Sequence, residues 1–216
     1  MSRRHVSVAA AKAGATLALV GRTTETLEEA AGEITAAFGG TAKCWNADVG
    51  DGNPALAERI VGEIEDQLGP IDALVNNAGI LGLGAIATVD PVDFWHAFEV
   101  SVRGPFLWAR AVAKRMIFRG RGRIVNITSG AAYLSEPNAA AHQASKAALS
   151  RLTAVLAAEL KPTGVTAFAL APIAPTEMLH ELTVSNAIDA RQRAVFKGLQ
   201  DNFAPRFWKH RSMPCK

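Results

Sequence analysis

The chain has 216 residues, 49% hydrophobic and 20% charged, which excludes a disordered polymer and gives a single domain enough apolar surface for a core. Its two cysteines, Cys44 and Cys215, are too few for a disulfide framework and lack metal-ligand spacing, so a reducing, cytoplasmic setting is expected. The formal net charge of +3 is concentrated near the end of the chain (Arg206, Lys209, Arg211, Lys216) without a nucleic-acid motif, and no apolar run spans a bilayer, so neither nucleic acid nor membrane is expected as a partner.

The opening Met1-Ser-Arg-Arg-His5 precedes an alanine-rich stretch, as in a secretion signal. Lys12 interrupts that stretch and no small-residue cleavage pattern follows before Arg22, so a helix feeding a strand is the better reading. Thr16-Leu-Ala-Leu-Val20, closed by Gly21, predicts a buried strand. Residues 23–38 carry Leu27, Ala30, Ile34 and Ala37 at helical spacing, with Thr24 as N-cap and Gly39-Gly40 as the stop. A strand over 41–47 precedes a helix over 54–68, whose inner face is Leu56, Ile60, Ile64 and Leu68. A strand over 72–76, a long helix over about 91–118 and a strand over 123–128 follow. An alanine-rich helix over 138–160 ends at Pro162 and Gly164, and residues 165–170 form the last strand.

Strands separated by helix-length segments predict an α/β fold: a parallel sheet covered by helices on both faces. Residues 1–182 make that domain, and 183–216 are a basic tail outside it. Ligands of such sheets bind beyond the carboxyl ends of the strands, which directs attention to Gly21-Arg22, Asp48, Asn76 to Gly79, Ser129 and the Pro172 segment.

These positions carry four motifs in one order: Ala47-Asp48-Val49, Asn76-Asn77-Ala78-Gly79, Gly122-Arg-Ile-Val-Asn-Ile-Thr-Ser129 and Ala144-Ser145-Lys146-Ala147. Together they resemble the short-chain dehydrogenase/reductase family over roughly residues 6–178. The resemblance implies a three-layer Rossmann-type sheet and nicotinamide-dependent hydride transfer between small carbonyl and alcohol substrates. It also implies a homodimer or homotetramer built through the long helix (Phe94, Phe98, Phe106, Trp108) and the alanine-rich one. For the cofactor it implies Asp48 and Val49 at the adenine end, Asn76, Asn77, Ala78 and Gly79 where the backbone approaches a flat ring, Lys146 on the ribose, and Ile173 and Thr176 at the carboxamide. For catalysis it implies Ser129, Lys146, residue 142 and residue 101. Family members that prefer NAD place a carboxylate after the second strand. Arg22 stands there and suits the 2′-phosphate of NADP, which favours NADP over NAD.

The sequence also departs from the family. The first strand and its glycine-rich turn (TGxxxGxG) are not seen, and residues 6–15 resemble only the back half of the helix that follows them. A truncation, or a reading frame begun too late, would give that pattern. The strand concerned is the middle one, between 16–20 and 72–76, so two apolar edges are expected to stand unpaired. The family's Tyr-x-x-x-Lys has His142 in the tyrosine position, thirteen residues after Ser129, and Tyr133 lies too early to substitute. An imidazole transfers protons near neutral pH, though Lys146 disfavours its charged form. Ser101 replaces an asparagine that supports a proton relay, and Pro172-Ile-Ala-Pro-Thr176 lacks the glycine of the usual Pro-Gly loop. The expectation is an NADP-dependent oxidoreductase of weak or no activity. The alternative is a non-catalytic remnant that acts through dimerisation.

Overall fold

Helix α1 (Arg3–Lys12) runs into strand β1 (Leu17–Gly21), the first of five helix-to-strand steps in a computed structural model that describes residues 3–171. Ile173, Thr176 and the basic tail lie outside the described residues. Next come α2 (Thr24–Phe38), β2 (Ala42–Asn46), α3 (Pro54–Leu68) and β3 (Ala73–Asn76). Then follow α4 (Pro91–Phe98), α5 (Gly104–Arg119), β4 (Gly122–Ile127), α6 (Ala140–Leu160) and β5 (Val165–Leu170).

Local chemistry sets the helix ends. Asn53 and Asp90 cap α3 and α4, their side chains accepting from Ala55 N at 3.0 Å and Val92 N at 2.7 Å, each followed by a proline that needs no partner for its nitrogen. Gly39 and Gly120 close α2 and α5. The cap of α2 is Thr23, without a side-chain bond, and not Thr24, whose Oγ1 instead accepts from Asn46 Nδ2 at 2.8 Å. The buried face of α2 is Leu27, Ala31 and Ile34; Ala30 is half-buried and Ala37 exposed, because the stripe turns by one position.

The single long helix expected over 91–118 is broken. Residues Glu99–Arg103 form a π-helical turn between α4 and α5, with Gly104 N donating to Glu99 O. Pro105 explains the break. It has no N–H to return to Ser101 O, and its ring crowds the preceding turn, so the backbone takes one extra residue there.

All strand pairings among the described residues are parallel: β1 with β2, and β3 with β4 and β4 with β5. Helices α1 and α2 cover one face. On the other, Ile60 and Val61 of α3, Val112 and Met116 of α5 and Leu160 of α6 pack with Trp45, Ile124 and Val165 of the strands in one core. The handedness of crossovers then orders the strands. The step from β1 to β2 uses α2 on one face, and the step from β2 to β3 uses α3 on the other. Right-handed crossovers on opposite faces move in opposite directions, so β3 lies beyond β1, and β4 and β5 continue outward. The order is β2-β1, then β3-β4-β5, in two sheets that no backbone hydrogen bond joins among the described residues. This is a Rossmann-type α/β fold with its switch point between β1 and β3.

Candidate functional site

Strand β4 ends at Ile127, and Ser129 opens a 3₁₀ turn (Gly130–Tyr133), its Oγ accepting from Ala131 N at 3.1 Å. The hydroxyl oxygen is thus held, while its proton stays available to another acceptor. Tyr133, on the same turn, is 81% exposed.

Helix α6 begins just beyond this turn. His142, Ser145 and Lys146 fall on one face at spacings of three and four and are buried there, the lysine only 4% exposed. Lys146 Nζ donates to Ile127 O at 2.9 Å, tying the helix to the end of β4. The Nδ1 of His142 lies 3.3 Å from Ile80 O. A carbonyl can only accept, so the proton of the neutral ring sits on Nδ1 and Nε2 keeps its lone pair. Burial, then the Lys146 charge, push the His142 pKa down to about 4, with the Ile80 carbonyl opposing. Burial pushes Lys146 down to about 8.

The segment after β3 closes over these groups. A Cβ on Gly79 would stand 3.1 Å from Lys146 Nζ and 3.7 Å from Ser101 Oγ, so the chain passes here only because residue 79 has no side chain. Ser101 is fully buried on the π-helical turn, and its Oγ has no hydrogen-bond partner among the described residues; Asn77 Oδ1, also buried, has none among them either. Gly84 N donates to Asn138 O at 2.9 Å and fastens the same segment to the residues before α6.

Beneath lies a polar chain that sequence reasoning passed over. Asn76 Nδ2 donates to Asn126 Oδ1 at 2.8 Å, Asn126 Nδ2 to Thr153 Oγ1 at 2.8 Å, and Thr153 Oγ1 to Leu149 O at 2.7 Å. It locks the ends of β3 and β4 to α6. Its signal was legible: Asn126 is an amide inside an apolar strand, where a polar group needs a partner.

The other half of the site lies at the ends of β1 and β2. Arg22 Nη1 is 3.8 Å from Asp48 Oδ2, both side chains open to solvent, so the pair contributes little to stability and the guanidinium is free to meet an anion. Asp48 Oδ1 accepts from Gly50 N at 2.8 Å, and Asn46 Nδ2 donates to Arg22 O at 2.8 Å, fixing both strand ends. The halves meet at the π-helical turn. Gly50 packs on Val100, and Val49 O fills the space that a side chain on Gly104 would need.

The structure therefore brings Asn76 to Gly79, Ser101, Ser129, His142 and Lys146 around the ends of β3 and β4, and sets Arg22, Asp48 and Val49 on the far side of the switch point. This set suits an elongated nucleotide. Orphaned polar atoms and an amine lie at one end, and an exposed guanidinium beside a carboxylate lies at the other. No glycine-rich turn for a pyrophosphate occurs among the described residues, nor any cluster of His, Cys, Asp and Glu that would hold a metal ion.

Comparison with known proteins identifies the family. A family model described as short chain dehydrogenase matches residues 4–186. A short chain dehydrogenase of Pseudocercospora fijiensis is 41% identical over 172 residues, which are 78% of this chain but 54% of that protein. The inactive 2-(S)-hydroxypropyl-CoM dehydrogenase 2 of Xanthobacter autotrophicus is 38% identical, covering 87% of this chain and 81% of its own length. The crystal structure of a gluconate 5-dehydrogenase from Burkholderia cenocepacia with NADP and tartrate superposes with a TM-score of 0.76 at 32% identity, covering 86% of this chain and 73% of that one.

Proposed function

Because the chain belongs to the short-chain dehydrogenase family of oxidoreductases, we propose that it transfers hydride between NADP(H) and a small carbonyl or alcohol substrate, slowly, and does so in the cytoplasm. The observation that carries this reading is the convergence of Lys146 Nζ, Gly79 and the orphaned Ser101 Oγ with His142 at the end of β4. Burying a lysine is costly, and an apolar residue would pack there more stably, so its place points to function. The Burkholderia structure supports NADP as the cofactor class.

In this reading Arg22 receives the 2′-phosphate and Asp48 the adenine end. Asn77 and the backbone of Ala78 and Gly79 lie along the nicotinamide half, and Lys146 bonds the ribose hydroxyls. For the carboxamide this reading keeps the resemblance-implied Ile173 and Thr176, which lie outside the described residues. NADPH, when bound, supplies the hydride. Ser129 donates its hydroxyl proton as a hydrogen bond to the substrate oxygen, where charge develops. His142 Nε2 exchanges the proton with that oxygen, and Ser101 supports the relay behind Lys146.

A His142 pKa pushed down to about 4 leads this reading to expect slow turnover, because reduction needs the imidazolium and at pH 7 roughly one ring in a thousand would carry it. The Xanthobacter relative, inactive by name, supports low turnover. The test is NADPH oxidation by the purified chain with a panel of activated aldehydes and ketones. Slow turnover that saturates in NADPH is expected; no turnover and no binding at millimolar cofactor would contradict the reading.

A second reading, a non-catalytic dimer, rests on a different observation. An apolar groove of about 550 Å³ is lined by Trp95, Phe98, Val102, Phe106 and Leu152 along the α4–α5 and α6 surface. Trp95 is 60% and Phe106 44% exposed, while Trp108 belongs to the core. Burying such aromatics against a second copy would drive a homodimer, or a homotetramer by a further contact. Light scattering decides: a dimer that does not bind NADPH favours this reading, and a monomer excludes it.

A further inference from the structure

Lys146 is a buried amine without a counterion. The residue is 4% exposed, and among the described residues no carboxylate pairs with it; its one hydrogen-bond partner there is the Ile127 carbonyl, at 2.9 Å. A carbonyl takes one N–H and offers no charge in return, so the ammonium form gains little from its surroundings. Burial pushes the Lys146 pKa down to about 8, so roughly one molecule in ten carries the neutral amine at pH 7, against roughly one in a few thousand for an ordinary lysine. The neutral amine has a free lone pair and is a nucleophile toward carbonyl carbon.

The groups around this amine suit such an attack. A Cβ on Gly79 would stand 3.1 Å from Lys146 Nζ and 3.7 Å from Ser101 Oγ, so the bare glycine leaves both atoms on one small space. The Ser101 hydroxyl is 0% exposed and has no partner among the described residues, and a ligand oxygen there would give its proton an acceptor. His142, one helical turn before Lys146, spends Nδ1 on Ile80 O and keeps the Nε2 lone pair, which makes it a neutral base beside the nucleophile. Ile80 and Ser129, on either side of the pair, are only partly buried and give a small molecule a way in.

We propose that Lys146 condenses with a small, uncharged aldehyde to form an imine, with Ser101 aiding at the carbonyl oxygen and His142 carrying the proton. The Nζ lone pair bonds to the carbonyl carbon, and the C=O electron pair moves to oxygen, where Ser101 donates a hydrogen bond. His142 Nε2 takes the proton that the nitrogen sheds and returns it to that oxygen. The resulting carbinolamine still has an N–H for Ile127 O. Its C–O bond then breaks as the nitrogen lone pair forms C=N, and the hydroxyl leaves with the last amine proton as water. Aldehyde and amine thus give imine and water, with no oxidant, reductant or cofactor. The aldehyde is small because the space beside Gly79 is tight. It is uncharged because, among the described residues, no carboxylate or second cation pairs with the amine to balance an ionic substrate.

This chemistry uses the pocket of the proposed hydride transfer but needs neither NADPH nor a hydride, so the two stand or fall separately. The test treats the full chain at pH 7 with propanal and sodium cyanoborohydride, which reduces an imine to a stable secondary amine, and maps the alkylated lysines by peptide mass spectrometry. Lys146 is expected to be propylated at least tenfold faster than the exposed Lys161 at the end of the same helix, as its larger neutral fraction requires. In denaturing urea both are ordinary lysines, and the preference should vanish. The wild-type chain carries the whole comparison, so no variant has to fold. Lys146 reacting no faster than Lys161, or a preference that survives unfolding, would overturn the proposal. Labelling of Lys146 without NADPH turnover upholds the imine and contradicts hydride transfer alone; turnover with Lys146 no faster than Lys161 does the reverse.

Discussion

At the residue scale the proposed chemistry rests on Lys146 and His142, and each carries a pKa shift whose sign can be measured. Lys146 is shifted from 10.5 to about 8 on folding, so between those values the unfolded chain binds more protons and stability rises with pH. At pH 7 that contribution is absent, and the buried charge is a net cost. Replacing Lys146 with Met should therefore raise stability at pH 7 by roughly 1–3 kcal/mol while abolishing NADPH-dependent turnover. Calorimetry beside an activity assay checks both; a lysine that is merely structural would lose stability on replacement. His142 is shifted from 6.5 to about 4, so the folded state leaves it neutral at pH 7 while the unfolded state increasingly protonates it as pH falls, and it destabilises the fold as pH falls through 6.5 toward 4. Carbonyl reduction by the wild-type chain should rise about tenfold per unit as pH drops from 7 to 6, following the imidazolium. The variant His142→Tyr, a neutral acid in the same place, should turn over faster at pH 7 and lose that slope. A pH–rate profile without the slope in the wild-type protein would remove His142 from the proton path.

At the scale of elements, the buried chain Asn76–Asn126–Thr153 holds β3, β4 and α6 together. Thr153→Val keeps the shape but leaves Asn126 Nδ2 unpartnered, and should cost about 1–3 kcal/mol, read as a lower denaturation midpoint. The strands and most helices were legible in the sequence because apolar runs and glycine stops agreed at most boundaries, as at Gly39 and Gly164. The break at Glu99–Arg103 was not, because periodicity continues across it and only the missing N–H of Pro105 gives it away. Thr24 was misread for a related reason: two adjacent threonines can both cap, and the choice was made by Asn46, which is distant in sequence. The motif residues were legible by type. Their geometry was not: the Nδ1–H tautomer of His142 follows from a carbonyl at residue 80, and the orphaned Ser101 Oγ follows from packing.

At the scale of the whole molecule, two sheets share one core and one row of strand ends. The chain spans 54% of the length of its Pseudocercospora relative, so what that longer protein does stays a proposal here. The aromatic groove along α4–α5 is a second large-scale feature. On the reading proposed above of a dimer built through this groove, Trp95→Glu and Phe106→Glu together should leave only monomer by light scattering with the far-ultraviolet spectrum unchanged, since both side chains are exposed in the single chain. The central claim is that Arg22 and Lys146, on opposite sides of the switch point, frame one cleft for a single NADPH molecule. Titration of NADPH fluorescence against the wild-type chain, Arg22→Glu and Lys146→Met tests it most directly. Saturable enhancement is expected for the wild-type chain, weakened at least tenfold by either substitution, with NADH less sensitive to Arg22→Glu. Absence of binding at millimolar NADPH, or binding that neither substitution alters, would contradict it.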